Sequence, residues 1–170
     1  MNARLLTVAL IVALMPAAGR SSGKAEEERE LQLNRAKWEQ RGISSYQILL
    51  HHECFCPPPW SGPFRVTVRG RKVTKVVYEG QNADGYWPGR VVSKKHMTDL
   101  TLTIEDIFKE AEKAINSPPE LSSFGLQHQP HKIRYHPEYG FPTLIDVENP
   151  PRVADAQWRL VVDEFRPGNR

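Results

Sequence analysis

The stretch "SYQILLHHECFC", Ser45 to Cys56, alternates two kinds of residue. Tyr46, Ile48, Leu50, His52, Cys54 and Cys56 fall on one side, and Gln47, Leu49, His51, Glu53 and Phe55 on the other. A period of two is the signature of a β-strand with one face in the core. Here the core face turns polar toward its far end. After "PPPWSGP" (Pro57 to Pro63) come "FRVTV" and "KVTKVVYE", joined at "RGRK" (Arg69 to Lys72), where Gly70 can supply the positive φ of a tight hairpin. Tyr46 to Glu79 therefore reads as a three-stranded antiparallel meander.

Working outward, "KAEEERELQLNRAKWEQR" (Lys24 to Arg41) is rich in helix formers, acidic at its start and followed by Gly42. Leu31 and Trp38 give it a thin apolar stripe. "TIEDIFKEAEKAIN" (Thr103 to Asn116) is a clearer helix: Thr103 stands at the N-cap, Asp106 in the capping-box position, and Ile104, Ile107, Phe108, Ala111 and Ile115 form one stripe. Pro118 and Pro119 end it. "HKIRYHP", "PTLIDVEN" and "AQWRLVVDEF" read as three more strands, with Pro142 starting an edge strand. The order helix, three strands, helix, three strands implies an α+β fold, an antiparallel sheet of about six strands with both helices packed on one face. Gly80 to Thr103 shows no period and reads as a long loop, a length that in a small domain points to mobility or function.

The first nineteen residues read as a signal peptide: Arg4, the apolar run Leu5 to Met15, then small residues at Ala17 and Gly19. That run is shorter than the roughly 20 residues a membrane span needs. The expectation is thus an exported protein, periplasmic or extracellular, with residues 20–170 as a single domain and a monomer. Removing residues 1–19 leaves 22 of the 23 Lys+Arg against 20 Asp+Glu, a net charge near +2 with both signs interleaved. Such a balance argues against nucleic acid as a partner. G-x-S-x-G, a phosphate-cradling glycine loop and H-E-x-x-H are all absent from the sequence.

Trp38, Ser45-Tyr46, Cys54-x-Cys56, "VTV" followed by a turn and Val73, "TIEDIFKEAEKAI", and "YHPEYGFPTLIDVE" followed by Asp155 and Phe165 make an ordered set. Over roughly Trp38 to Phe165 it resembles the exported bacterial family known only as domain of unknown function 6174. The resemblance implies an exported small domain with paired cysteines after the first strand, and no established activity. Two features depart from the family: the Gly70-Arg71 turn lacks the acidic or amide residue usual before its glycine, and the Gly80 to Thr103 segment is long.

Three candidate sites follow. Cys54 and Cys56 would tend to pair in an oxidising compartment, although alternate strand residues lie about 6.5 Å apart, so the bond needs a bend at Phe55. A structural disulfide, a labile redox pair and a metal site all remain open; for a metal, His52, Cys54 and Cys56 would need a fourth ligand such as His128, His131 or His136. No cofactor is implied. Trp60 on "PPPWSGP" and Tyr86, Trp87 and Arg90 on "DGYWPGR" carry the residue types of binding hot spots, and would form one partner-binding patch if both segments leave the same end of the sheet. The partner would be a protein or small molecule of the envelope. Lastly, Asp146, Glu148 and Asp155 could form a carboxylate cluster, but strand and turn acids are most often merely solvated. The reading as a whole is a non-catalytic binding or envelope accessory domain, with thiol redox or metal handling through Cys54 and Cys56 as the alternative.

Overall fold

The computed structural model describes residues 23–54, 61–80, 88–92, 103–117, 120–122, 125–127, 131–148 and 157–168. Helix α1 spans Gly23–Arg41, followed by strands β1 (Tyr46–Cys54), β2 (Phe64–Arg69) and β3 (Lys72–Tyr78). Helix α2 spans Ile104–Asn116, followed by β4 (Glu120–Ser122), β5 (Gly125–Gln127), β6 (His131–Tyr135), β7 (Pro142–Val147) and β8 (Trp158–Pro167). Six strands form one antiparallel sheet in the order β3-β2-β1-β8-β7-β6, and β4 and β5 pair as a separate small hairpin. The α+β architecture read from the sequence is the one observed; the small hairpin is an addition to it.

The alternation of β1 is kept: Tyr46, Ile48 and Leu50 are buried, and Gln47, Leu49 and His51 are only half covered. The β2–β3 hairpin turns through Gly70 and Arg71, at φ +55° and +63°. Two consecutive positive φ values are what a type I′ turn requires. Arg71 accepts this conformation while its N–H donates to the Ser44 carbonyl at 2.7 Å, and the Gly70 N–H donates to Ser45 Oγ at 3.2 Å. The hairpin is thereby tied to the link between α1 and β1.

At the start of α2, Thr103 Oγ1 accepts from the Asp106 N–H at 3.1 Å and Asp106 Oδ2 accepts from the Thr103 N–H at 3.3 Å, a complete capping box. The Tyr46 hydroxyl accepts from the buried Ile104 N–H at 2.9 Å, satisfying another donor that helix geometry leaves open. Ile104, Ile107, Phe108, Ala111, Ala114 and Ile115 are buried by α2, whereas α1 buries only Leu31 and Trp38. Helix α1 is held to its neighbour by Arg35, which pairs with Glu112 at 2.9 Å and lies over the Phe108 ring.

Two readings need correction. Pro142 does start a strand, but β7 lies between β8 and β6 rather than at an edge. The proline fits because pairing with β8 begins only at Leu144. In the Gly80 to Thr103 segment, residues 88–92 are not a free loop. The Tyr78 N–H donates to the Arg90 carbonyl (2.9 Å), Gly89 N–H to Tyr78 (2.8 Å) and Val92 N–H to Val76 (2.9 Å), and Val92 is buried. This run closes half of the outer edge of β3.

Candidate functional site

The two ends of the sheet differ. At one end the chain turns tightly, through Gly70-Arg71, through 136–141 and through Gly42 to Ser45. At the other end lie Cys54, Phe64, Tyr78, His131, Val147 and Trp158, joined pairwise by the register: Phe64 opposite Tyr78, Cys54 opposite Trp158, and Trp158 and His131 each opposite Val147. All the longer connections between strands start and finish here.

The roots of the two aromatic segments meet at this end. Ser61 returns to β1 by accepting from the His52 N–H at 2.7 Å. The Pro63 carbonyl accepts from the Glu79 N–H at 2.8 Å, and Tyr78 in turn holds Gly89 and Arg90. Phe64 and Tyr78 pack with ring centroids 5.8 Å apart beneath these bonds. The segment carrying Trp60 and the segment carrying Tyr86 and Trp87 thus leave from adjoining backbone. Trp60, Tyr86 and Trp87 themselves lie outside the described residues, as do Phe55, Cys56, His128 and Asp155. Arg90 is described: its backbone anchors β3 and its side chain is exposed.

Beside these roots, the sheet face turned away from the helices carries a network of charged residues. A bulge opposite Leu49 and Leu50 adds Asp163 to β8, and places its Oδ2 2.7 Å from His51 Nδ1. His51 Nε2 lies 3.3 Å from Glu53 Oε1. Arg159, opposite Glu53 on one side and Asp146 on the other, donates to both, at 2.7 Å and 2.8 Å. Asp146 is therefore an ion-pair partner in a cross-strand ladder. Glu148 lies exposed just past β7. Nothing in the local pattern of any one strand marks His51, Glu53, Arg159 and Asp163 as neighbours; their meeting depends on β1 lying beside β8.

His52 points the other way, toward α2. Its Nε2 is buried without a hydrogen-bond partner among the described residues. Burial holds its pKa below the ordinary histidine range, with His51 adding to the depression and Glu110 opposing it. The other described histidines offered as a fourth ligand are remote from it. His131 is on β6, with β8 and β7 between it and β1, and lies 3.2 Å from Glu27. His136 belongs to the opposite end, where its ring packs on Tyr139 and Phe141. No group of three or more His, Cys, Asp and Glu able to hold a metal occurs among the described residues.

A neutral buried histidine makes stability depend on pH. The unfolded chain takes up a proton near pH 6.5 that the folded chain resists until its own lower pKa, so stability is full above about 6.5 and falls as pH drops. His136, depressed chiefly by burial, acts in the same direction. The expected result is a wild-type urea midpoint that falls between about pH 7 and pH 5, with a shallower fall in His52→Gln. Each such group adds at most about 1.4 kcal/mol per pH unit. Identical pH slopes for the two proteins would show that His52 is not neutral in the fold.

No helix among the described residues is long and apolar enough to cross a membrane. Neither the curated proteins nor the solved structures contain a match to this chain. A family does match, over residues 30–167, from the middle of α1 through β8. Its described extent takes in every strand of the sheet and the network just traced, and the chain accordingly belongs to the family of unknown function DUF6174.

Proposed function

We propose that the protein is an exported, non-catalytic binding domain whose partner surface is the end of the sheet from which the two aromatic segments leave. Export rests on the pattern of Arg4, Leu5 to Met15 and Ala17 to Gly19. The binding role is carried by one observation, the hydrogen bond from the Glu79 N–H to the Pro63 carbonyl, which joins the roots of the Trp60 and Trp87 segments. Segments that carry aromatic residues and leave a rigid sheet from adjoining backbone have the composition of a hot spot. The His51, Glu53 and Arg159 network on the sheet beside the roots of these segments would give such a surface a polar rim. Cys54 and Cys56 serve in this reading as a disulfide clip at the root of the first segment.

The test is capture from an envelope extract by the exported protein and by the Trp60→Ala/Trp87→Ala variant. Capture should fall at least about tenfold, since hot-spot truncations cost about 2 kcal/mol or more, with an unchanged circular dichroism spectrum. Equal capture by the variant would remove this end as the binding surface. Prepared without reductant, the protein should also weigh two hydrogens less than the chain with both thiols free; a full-weight chain would reject the clip.

A further inference from the structure

The sheet has two edges, and they are finished differently. The β3 edge is half closed by residues 89–92. Strand β6 pairs with β7 on one side and with no strand among the described residues on the other. Beside it runs a cleft of about 220 Å³ lined by Glu27 and Glu30 of α1, Ile115 of α2, and His131, Lys132, Ile133 and Tyr135. That is below the roughly 300–1,000 Å³ of small-molecule pockets, and suits a single long side chain.

The two faces of β6 carry opposite charge. His131, Ile133 and Tyr135 are half covered on the helix side, where Glu27 and Glu30 stand; Lys132 and Arg134 are exposed on the other side. Glu27 lies 3.2 Å from His131, while the Glu30 carboxylate has no hydrogen-bond or ion-pair partner among the described residues. Both carboxylates lie close enough to Tyr135 to add to the rise in its pKa that burial begins. An added strand alternates its side chains between these faces, so its register is fixed by charge. A second copy pairing through its own β6 would set Lys132 and Arg134 against the same residues, which like-charge repulsion opposes.

We infer that β6 is a docking edge for an extended peptide of a protein partner, one that turns a lysine or arginine into the cleft toward Glu27 and Glu30 and flanking acidic side chains toward Lys132 and Arg134. Main-chain hydrogen bonds to the side of β6 that no described strand occupies hold the peptide, and the alternating charge selects it. This edge lies across the sheet from β1, β2 and β3, where the aromatic segments are rooted, and does not depend on them.

The experiment uses two synthetic heptapeptides, Thr-Val-Glu-Lys-Glu-Val-Thr and Thr-Val-Lys-Glu-Lys-Val-Thr, titrated into the exported protein and followed by backbone amide NMR. The first should bind at least about tenfold more tightly, a difference of about 1.4 kcal/mol, and shift the amides of residues 131–135, since opposed cross-strand charges stabilise and like charges destabilise at each of several pairs. Glu27→Gln/Glu30→Gln should weaken the first peptide, and Lys132→Glu/Arg134→Glu should raise binding of the second relative to the first. Trp60→Ala/Trp87→Ala should leave both affinities unchanged. Equal affinity for the two peptides, no binding of either, or amide shifts centred away from β6 would each overturn the assignment.

Discussion

Phe141→Ala is expected to lower the unfolding free energy by about 3–5 kcal/mol, the upper range for a single side-chain truncation. Phe141 is completely buried and sits where both helix and sheet contribute rings. Trp38 of α1 meets it edge-on at 5.7 Å, Phe165 of β8 lies at 4.8 Å and His136 at 5.0 Å. Trp38 also meets Tyr46 and Phe165 edge-on, so the phenyl ring fills the space that seats α1 on the sheet. Helix α1 buries only Leu31 and Trp38, so no other buried side chain of the helix but Leu31 is there to absorb the loss. Against a stability of about 5–15 kcal/mol for ordinary domains, the variant would be marginal. Urea unfolding followed by Trp fluorescence reads the effect. Phe141→Leu, which keeps much of the volume, should cost less than half as much; equal losses would mean that ring geometry, and not filled space, holds α1 down.

That cluster also marks the limit of what the sequence reveals. The alternation from Tyr46 to Leu50, the Gly70 turn and the Thr103 cap are local patterns, each set by a few neighbouring residues, and each is found where the pattern places it. The run "YHPEYGFP" is different. Read locally, Tyr135, Tyr139, Gly140 and Pro142 are turn chemistry; Tyr139 and Gly140 do lie in the turn, while Tyr135 ends β6 and Pro142 begins β7, and Phe141 takes its importance from Trp38 and Phe165, distant in the chain. The same holds for the site. Aromatic residues in "PPPWSGP" and "DGYWPGR" could be noticed one segment at a time, whereas the common root needs the Phe64 to Tyr78 register and the Pro63 to Glu79 hydrogen bond. His51 with Asp163, and Arg159 between Glu53 and Asp146, exist because β1 and β8 are neighbours, and no strand sequence states which edge it will share. Strands β4 and β5, three residues each, are too short for a period of two to show at all.

Gly140→Ala should be nearly as damaging, for a reason that can be divided into two parts. Gly140 has φ +83°, where a residue with a β-carbon is strained by roughly 1–2 kcal/mol. A β-carbon there would also lie 2.5 Å from the Asn34 carbonyl oxygen and 3.0 Å from Lys37 Cβ, both on α1. Because the first contact is with helix backbone, α1 as a whole has to move. The same turn is where α1 is tied to the sheet's second half: Lys37 Nζ donates to the Pro137 carbonyl, and Arg41 donates to Glu138 at 3.0 Å. Displacing α1 therefore loosens those bonds and the seat of Trp38 together, and a loss of about 3 kcal/mol or more is expected, with faster hydrogen exchange along α1. Asparagine tolerates positive φ far better than alanine but brings the same β-carbon. If Gly140→Asn is as unstable as Gly140→Ala, the contact with Asn34 dominates. If Asn restores most of the stability, backbone strain does, and α1 moves aside at little cost. The 2.5 Å approach favours the first outcome, since no flexible side chain stands between the two backbones to give way.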